Sequence, residues 1–265
     1  MLLLFSSAAP ARPRADKSPS SEAAAVIGSG ACATLREQIP GQYRERYDRW
    51  KAVLLSADAG RRLWLRYACS PSFHLTIIVS DGQGQGGEIK LDDYRWDEGG
   101  LTAATIVLGH RLDRGYPGLP YYPVLNSLYD IRTQRAPWAP DDILAAAKIA
   151  HELGHVDQAA KADPAGFRLQ NELGKVYASH FRANGYDTHD PALGEIAARM
   201  GGAPEVVSAQ REYWAETYAL RYLLDKLRPD KRRTLLKSVR KSLTSEPSIY
   251  YLPSRTEWQT LATFD

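Results

Sequence analysis

Between Asp141 and Asp163 the chain contains no proline, and inside that stretch it reads Ala-Lys-Ile-Ala-His151-Glu152-Leu153-Gly154-His155-Val156. Such a segment is read as a helix, starting near Asp141 behind Pro140. Side chains four apart on a helix stand one above the other, about 6 Å along the axis, so His151 and His155 present both imidazoles to one point. The same row begins with Ile143 and Ala147, so the histidines continue a face that starts apolar and buried. Glu152 falls on the neighbouring row, within reach of a water at that point without being a ligand. Two nitrogen ligands and a general base on one rigid element form the H-E-x-x-H arrangement, which suits a zinc ion. The competing interpretation is a solvated helix with two surface histidines, and the rest of the chain has to decide between them.

A hydrolytic zinc site takes a third protein ligand and leaves a fourth position to water. A third histidine six residues after His155 is ruled out, because Gln158 and Lys161 stand where that pattern needs Gly and His. Further on comes Arg211-Glu212-Tyr213-Trp214-Ala215-Glu216-Thr217-Tyr218-Ala219, with two carboxylates one helical turn apart. Glu212 is expected to complete the zinc shell. Glu216 is expected to accept a hydrogen bond from the far nitrogen of a ligating histidine and so fix its tautomer. Ala215 and Ala219 are small enough to let this helix approach the first one closely. Most carboxylate pairs at this spacing are exposed acidic faces, and like charges there weaken a helix unless a cation lies between them and a partner.

With these residues in hand, the chain resembles the gluzincin metallopeptidases, in which His-Glu-x-x-His is followed on a later helix by Glu-x-x-x-Asp or Glu. His151, Glu152, His155, Glu212 and Glu216 carry the match. The long gap before Glu212 is more similar to the CAAX-processing and membrane-quality-control peptidases than to thermolysin. Two departures are Glu216, where that family usually has Asp, and the lack of the transmembrane helices of its integral-membrane members. The resemblance covers roughly residues 140 to 225. It implies a strand edge lining the cleft, where an extended peptide binds by main-chain hydrogen bonds.

Composition agrees with an ordinary globular protein: 265 residues, 44% hydrophobic and 25% charged, with a net charge of +3 too small to argue for a nucleic-acid partner. The basic run Lys231, Arg232, Arg233, Lys237, Arg240 and Lys241 reads as a solvated helix face, the alternative being an acidic partner or an anionic lipid surface. Nowhere do 18 apolar residues run together, so no transmembrane span is expected. The short apolar start, Met1 to Ala11, lacks the positive region of an export signal, and residues 12 to 25 read as a disordered linker. Residues 1–29 are therefore taken as a disordered or clipped targeting segment. Cys32 and Cys69 either form one disulfide in an exported protein or remain two buried thiols. With the apolar start, they tilt the localisation towards export.

The remaining pattern gives an amphipathic helix over 33–56 and strands over 62–69, 73–80, 88–94 and 101–108. Asp81 to Gly87 forms a glycine-rich turn without the context of a phosphate loop. Pro117 to Pro140, with Tyr121, Tyr122, Tyr129 and Trp138, reads as a long irregular connection whose aromatics serve ordinary packing or wall a cleft. Helices follow over about 165–184, 191–200, 204–228 and 230–244. Strands first and helices afterwards define an α+β class, with a small antiparallel or mixed sheet. Residues 30–265 form one zincin-like unit, with a sheet part over about 60–110, a helical part over about 141–245, and the cleft between them.

The expected activity is a zinc-dependent endopeptidase with Glu152 as general base and a peptide or protein substrate. His180, His189, Tyr250 and Tyr251, and after them His74 and His110, are the side chains available to stabilise an oxyanion. The alternatives are a noncatalytic protein whose zinc ties two helices together or which binds a partner through the cleft, and a zinc amidase acting on cell-wall peptides.

Overall fold

Pro40 divides the helix expected over 33–56. Proline lacks an N–H and pushes the residue before it out of helical conformation, so Leu35–Gln38 forms strand β1 and helix α1 spans only Gly41–Leu55. The structure, a computed structural model, describes residues 32–114, 122–134, 141–184, 191–200 and 204–245. The expectations placed on residues 1–29, Tyr121, Trp138, His189, Tyr250 and Tyr251 lie outside these.

The segment expected as a strand over 62–69 belongs to helix α2, Asp58–Ala68. Its buried residues Leu63, Trp64, Tyr67 and Ala68 fall at i, i+1, i+4 and i+5, one side of a helix. Asp58 in the first turn complements the helix dipole. The aromatics favour a strand in isolation, but packing of this face against its neighbours overrides that preference.

Strands β2 (His74–Ser80), β3 (Gly87–Ile89), β4 (Arg95–Asp97) and β5 (Gly100–Gly109) complete a five-stranded mixed sheet in which β3 lies at an edge. β1, β2 and β5 run parallel, with Leu35 opposite Leu75 and Leu75 opposite Ala104. β3 and β4 pair antiparallel with β5, Glu88 opposite Val107. Along β2 the inward residues Leu75, Ile77 and Val79 alternate with less buried ones, as the two-residue repeat of a strand requires. The strand expected over 88–94 is only β3, since Leu91–Asp93 turns into a short 3-10 helix.

Helix α3, Pro123–Gln134, occupies part of the stretch expected to be irregular. Pro123 opens it, where a missing N–H costs nothing. There follow α4 (Asp141–Lys161), α5 (Pro164–Asn184), α6 (Pro191–Met200), α7 (Pro204–Lys226) and α8 (Pro229–Ser245). The protein is α+β, with the sheet first and the helices after it. Every residue from Ile143 to Ala150 is buried, which makes α4 the central helix, packed between α7, α1 and the sheet. Asp157, wholly buried, ties it sideways: it accepts hydrogen bonds from Tyr67 (2.7 Å), Arg66 (3.0 Å) and Tyr218, and pairs with Lys161 (2.7 Å). Cys32 and Cys69 are joined as a disulfide between the start of the described chain and the end of α2. Among the described residues no helix is long and apolar enough to cross a membrane.

Candidate metal centre

Helix α4 touches α7 where one has no side chain and the other only a methyl group to keep them apart. A Cβ on Gly154 would lie 2.9 Å from the Ala215 Cα, and both Ala215 and Ala219 are fully buried. This approach brings the two histidines of α4 to the carboxylates of α7. Glu212 Oε2 lies 3.0 Å from His151 Nε2 and 3.2 Å from His155 Nε2. The candidate ligand atoms of these three residues all lie within 4.8 Å of one another.

Two imidazole nitrogens and one carboxylate oxygen are a donor set that zinc takes. Ligand atoms about 2.0–2.1 Å from a tetrahedral zinc stand about 3.3 Å apart, close to the two spacings from Glu212. The three residues could therefore hold a divalent cation of this kind. Behind them, Glu216 is wholly buried: its Oε1 lies 3.1 Å from His151 Nδ1, and its Oε2 accepts the backbone N–H groups of Val124 (2.6 Å) and Leu125 (3.1 Å). Those N–H groups belong to the first turn of α3, which has no intrahelical acceptor for them. Glu216 thus orients His151 and caps α3 at once.

Electrostatics follow from three carboxylates around two imidazoles in a buried place. Burial opposes a charge on His151, but hydrogen bonds and charge from Glu212 and Glu216 outweigh it and push its pKa up to about 10. Burial likewise works against the charged form of Glu212, and His155 and His151 overcome it, holding the carboxyl well below the usual range. For Glu152 burial wins and its pKa rises, with His151 and His155 pulling the other way. For Glu216 burial also raises it, against the hydrogen bonds it accepts. A divalent cation held between these side chains would take over the role of pairing charge that His151 plays for the carboxylates here.

A cavity of about 340 Å³ opens in front of these residues, lined by Glu152, His155 and Glu212, by Gly87 to Ile89 of β3, and by Tyr94 and Tyr122 among others. Glu152 lies against the edge strand: a Cβ on Gly87 would come 2.5 Å from its Oε1. Lys148, one turn before Glu152, donates to the Gln85 carbonyl (2.9 Å) and so holds the glycine-rich turn that leads into β3. The aromatic reading of the 117–140 stretch is resolved for Tyr122. Its ring lies 5.2 Å from that of His151, and its hydroxyl feels the charge of Glu212. Burial, with Glu212 beside it, holds this phenol well above its ordinary range, so it stays a donor.

Of the other side chains considered from sequence, His74 starts β2 in an exposed position, His110 stacks on Tyr43 beside Asp81, and His180 lies on α5. None of the three lines this cavity. Arg211, next to Glu212, does line it, a position that the sequence signals only by its place beside a candidate ligand. Comparison with family models, curated proteins and solved structures returns no match for this chain.

Proposed function

We propose that this protein is a zinc-dependent peptide-bond hydrolase, with His151, His155 and Glu212 holding the metal and Glu152 as general base. The observation that carries this reading is the position of Glu212 Oε2, within 3.2 Å of one nitrogen on each histidine. When bound there, zinc supplies Lewis acidity, which acidifies a water and polarises a carbonyl. Glu152 takes the proton of the attacking water as its oxygen joins the carbonyl carbon, then gives that proton to the amide nitrogen as the C–N bond breaks. Glu216 accepts from the His151 Nδ1–H, which leaves the Nε2 lone pair facing the ligand cluster. The Tyr122 hydroxyl donates to the oxygen on which negative charge develops.

The edge strand supplies the substrate platform. β3 pairs with β5 on one side, and its other side borders the cavity, where an extended peptide can add as a further strand. Purified protein is expected to hold one zinc per chain and to hydrolyse casein. Glu152→Gln should keep the zinc and lose hydrolysis by about 100-fold or more, whereas His151→Ala and His155→Ala should lose the zinc itself. Undiminished hydrolysis by Glu152→Gln would overturn the assignment. Bound zinc without turnover of casein or of peptidoglycan stem peptides would turn it into a noncatalytic metal centre.

A further inference from the structure

The geometry points to Arg211 as a carboxylate-binding subsite beside the metal centre, selecting substrates that carry an anionic group a short way from the bond attacked. This rests on the peptidase reading for the meaning of the cleft, but not for the existence of the subsite.

Arg211 is the one Lys or Arg among the described residues lining the cavity, whose other charged groups include Glu88, Glu152 and Glu212. Glu212 directs its carboxylate at the two histidines rather than at its neighbour. Arg211 instead donates to neutral oxygens, Asn171 Oδ1 at 2.6 Å and Gln170 Oε1 at 3.1 Å, and its guanidinium stacks 4.5 Å from the Phe167 ring centroid. Among the described residues no carboxylate forms an ion pair with it. These contacts fix the plane of the guanidinium without neutralising it, and a guanidinium has five N–H donors, so others remain for a ligand. A partly buried cation with only neutral partners is stabilised when an anion arrives, and the planar fork of arginine matches a carboxylate through two parallel hydrogen bonds.

Position supports the same conclusion. A second hollow of about 300 Å³ shares Leu91 and Tyr94 with the first, and Asn171, which holds Arg211, lines it. Arg211 therefore stands near the junction of the two hollows, where a chain leaving the metal centre passes. Either a substrate C-terminus or an Asp or Glu side chain presents the required group.

The test is a binding measurement on the zinc-loaded Glu152→Gln protein, which separates recognition from turnover. The probes are short peptides with a Phe-Leu core that carry one Glu, moved position by position, against their Gln counterparts, each with a free or amidated C-terminus. Peptides that reach the subsite should bind about tenfold tighter than their neutral partners. Preference for free over amidated ends identifies the C-terminus as the source, and preference for Glu over Gln identifies a side chain. Arg211→Gln should abolish the ratio. So should Asn171→Asp, which leaves the arginine in place and supplies an internal carboxylate. No preference in the starting protein, or a preference surviving both substitutions, overturns the inference. Tight, charge-selective binding by Glu152→Gln, with none of these peptides cleaved by the zinc-loaded protein that retains Glu152, instead overturns the peptidase reading and leaves the subsite standing.

Discussion

Gly87 and Glu152 form a pair in which one residue's missing side chain sets the position of the other's carboxylate. An alanine at 87 would place a methyl 2.5 Å from Glu152 Oε1, and the carboxylate has to move. Displacing a catalytic group by about 1 Å costs about 100-fold in rate. With Glu152 as the proposed general base, Gly87→Ala is therefore expected to lower kcat by that order while the zinc content, read by mass spectrometry, stays at the starting level; unchanged kcat would remove β3 from the proposed site. Glu216 presents a different constraint, because both of its oxygens act as acceptors, one towards His151 and the other towards two backbone N–H groups. Glutamine offers one acceptor and one donor, so Glu216→Gln must set an NH2 against a donor on one side. Zinc affinity is expected to fall about 10- to 100-fold, the usual cost of losing such support. Competition with a chelating dye measures it, and equal affinity would reduce Glu216 to a cap for α3.

At the level of elements, the crossing of α4 and α7 determines whether a site exists. Gly154 in the middle of α4 costs about 1 kcal/mol of helix propensity relative to alanine, yet it permits a backbone contact that no larger residue could keep. Gly154→Ala recovers that propensity, but its methyl would meet the Ala215 Cα and the Tyr218 ring at 2.9 Å. Overpacking of this kind costs about 1–3 kcal/mol. The net expectation is a loss of stability in urea unfolding, together with weaker zinc binding as Glu212 moves off the histidines. A more stable variant with full zinc affinity would show that the helices do not need this approach. The neighbouring element α3 was missed from sequence for a related reason: its first-turn N–H groups are satisfied by Glu216, which is remote in the chain.

For the whole molecule, acid stability is expected to depend partly on a cluster outside the candidate metal centre. Glu37 joins β1 to α1 through Lys51 (2.7 Å), Tyr47 (2.7 Å) and Arg44 (3.1 Å). Burial opposes its charge, but Lys51, Tyr47 and Arg44 outweigh burial and lower its pKa below the ordinary 4.5. A carboxyl lowered on folding contributes stability that is fully present above the unfolded pKa and is lost as pH falls through the folded one. The contribution of Glu37 is thus expected to be level above about pH 5 and to fall as the solution is acidified below 4.5. Glu37→Gln should be less stable at neutral pH and show a flatter acid limb in urea titrations. Identical limbs would mean that the cluster adds nothing.

The sequence by itself determined the chemistry on offer: His151 and His155 one turn apart with Glu152 between them, Glu212 and Glu216 one turn apart on a later helix, and a strands-then-helices order that makes the protein α+β. These were legible because helical spacing is local, so residues four apart share a face whatever the rest of the chain does. Helix α2 and helix α3 were misread because a segment's partners, not its own pattern, decided its conformation. Only the tertiary structure placed Glu212 against the histidines, brought Gly87 to Glu152 and put Tyr122 and Arg211 in the cavity. Each of those contacts joins segments distant in the chain, and no local periodicity encodes which surfaces come to share one core.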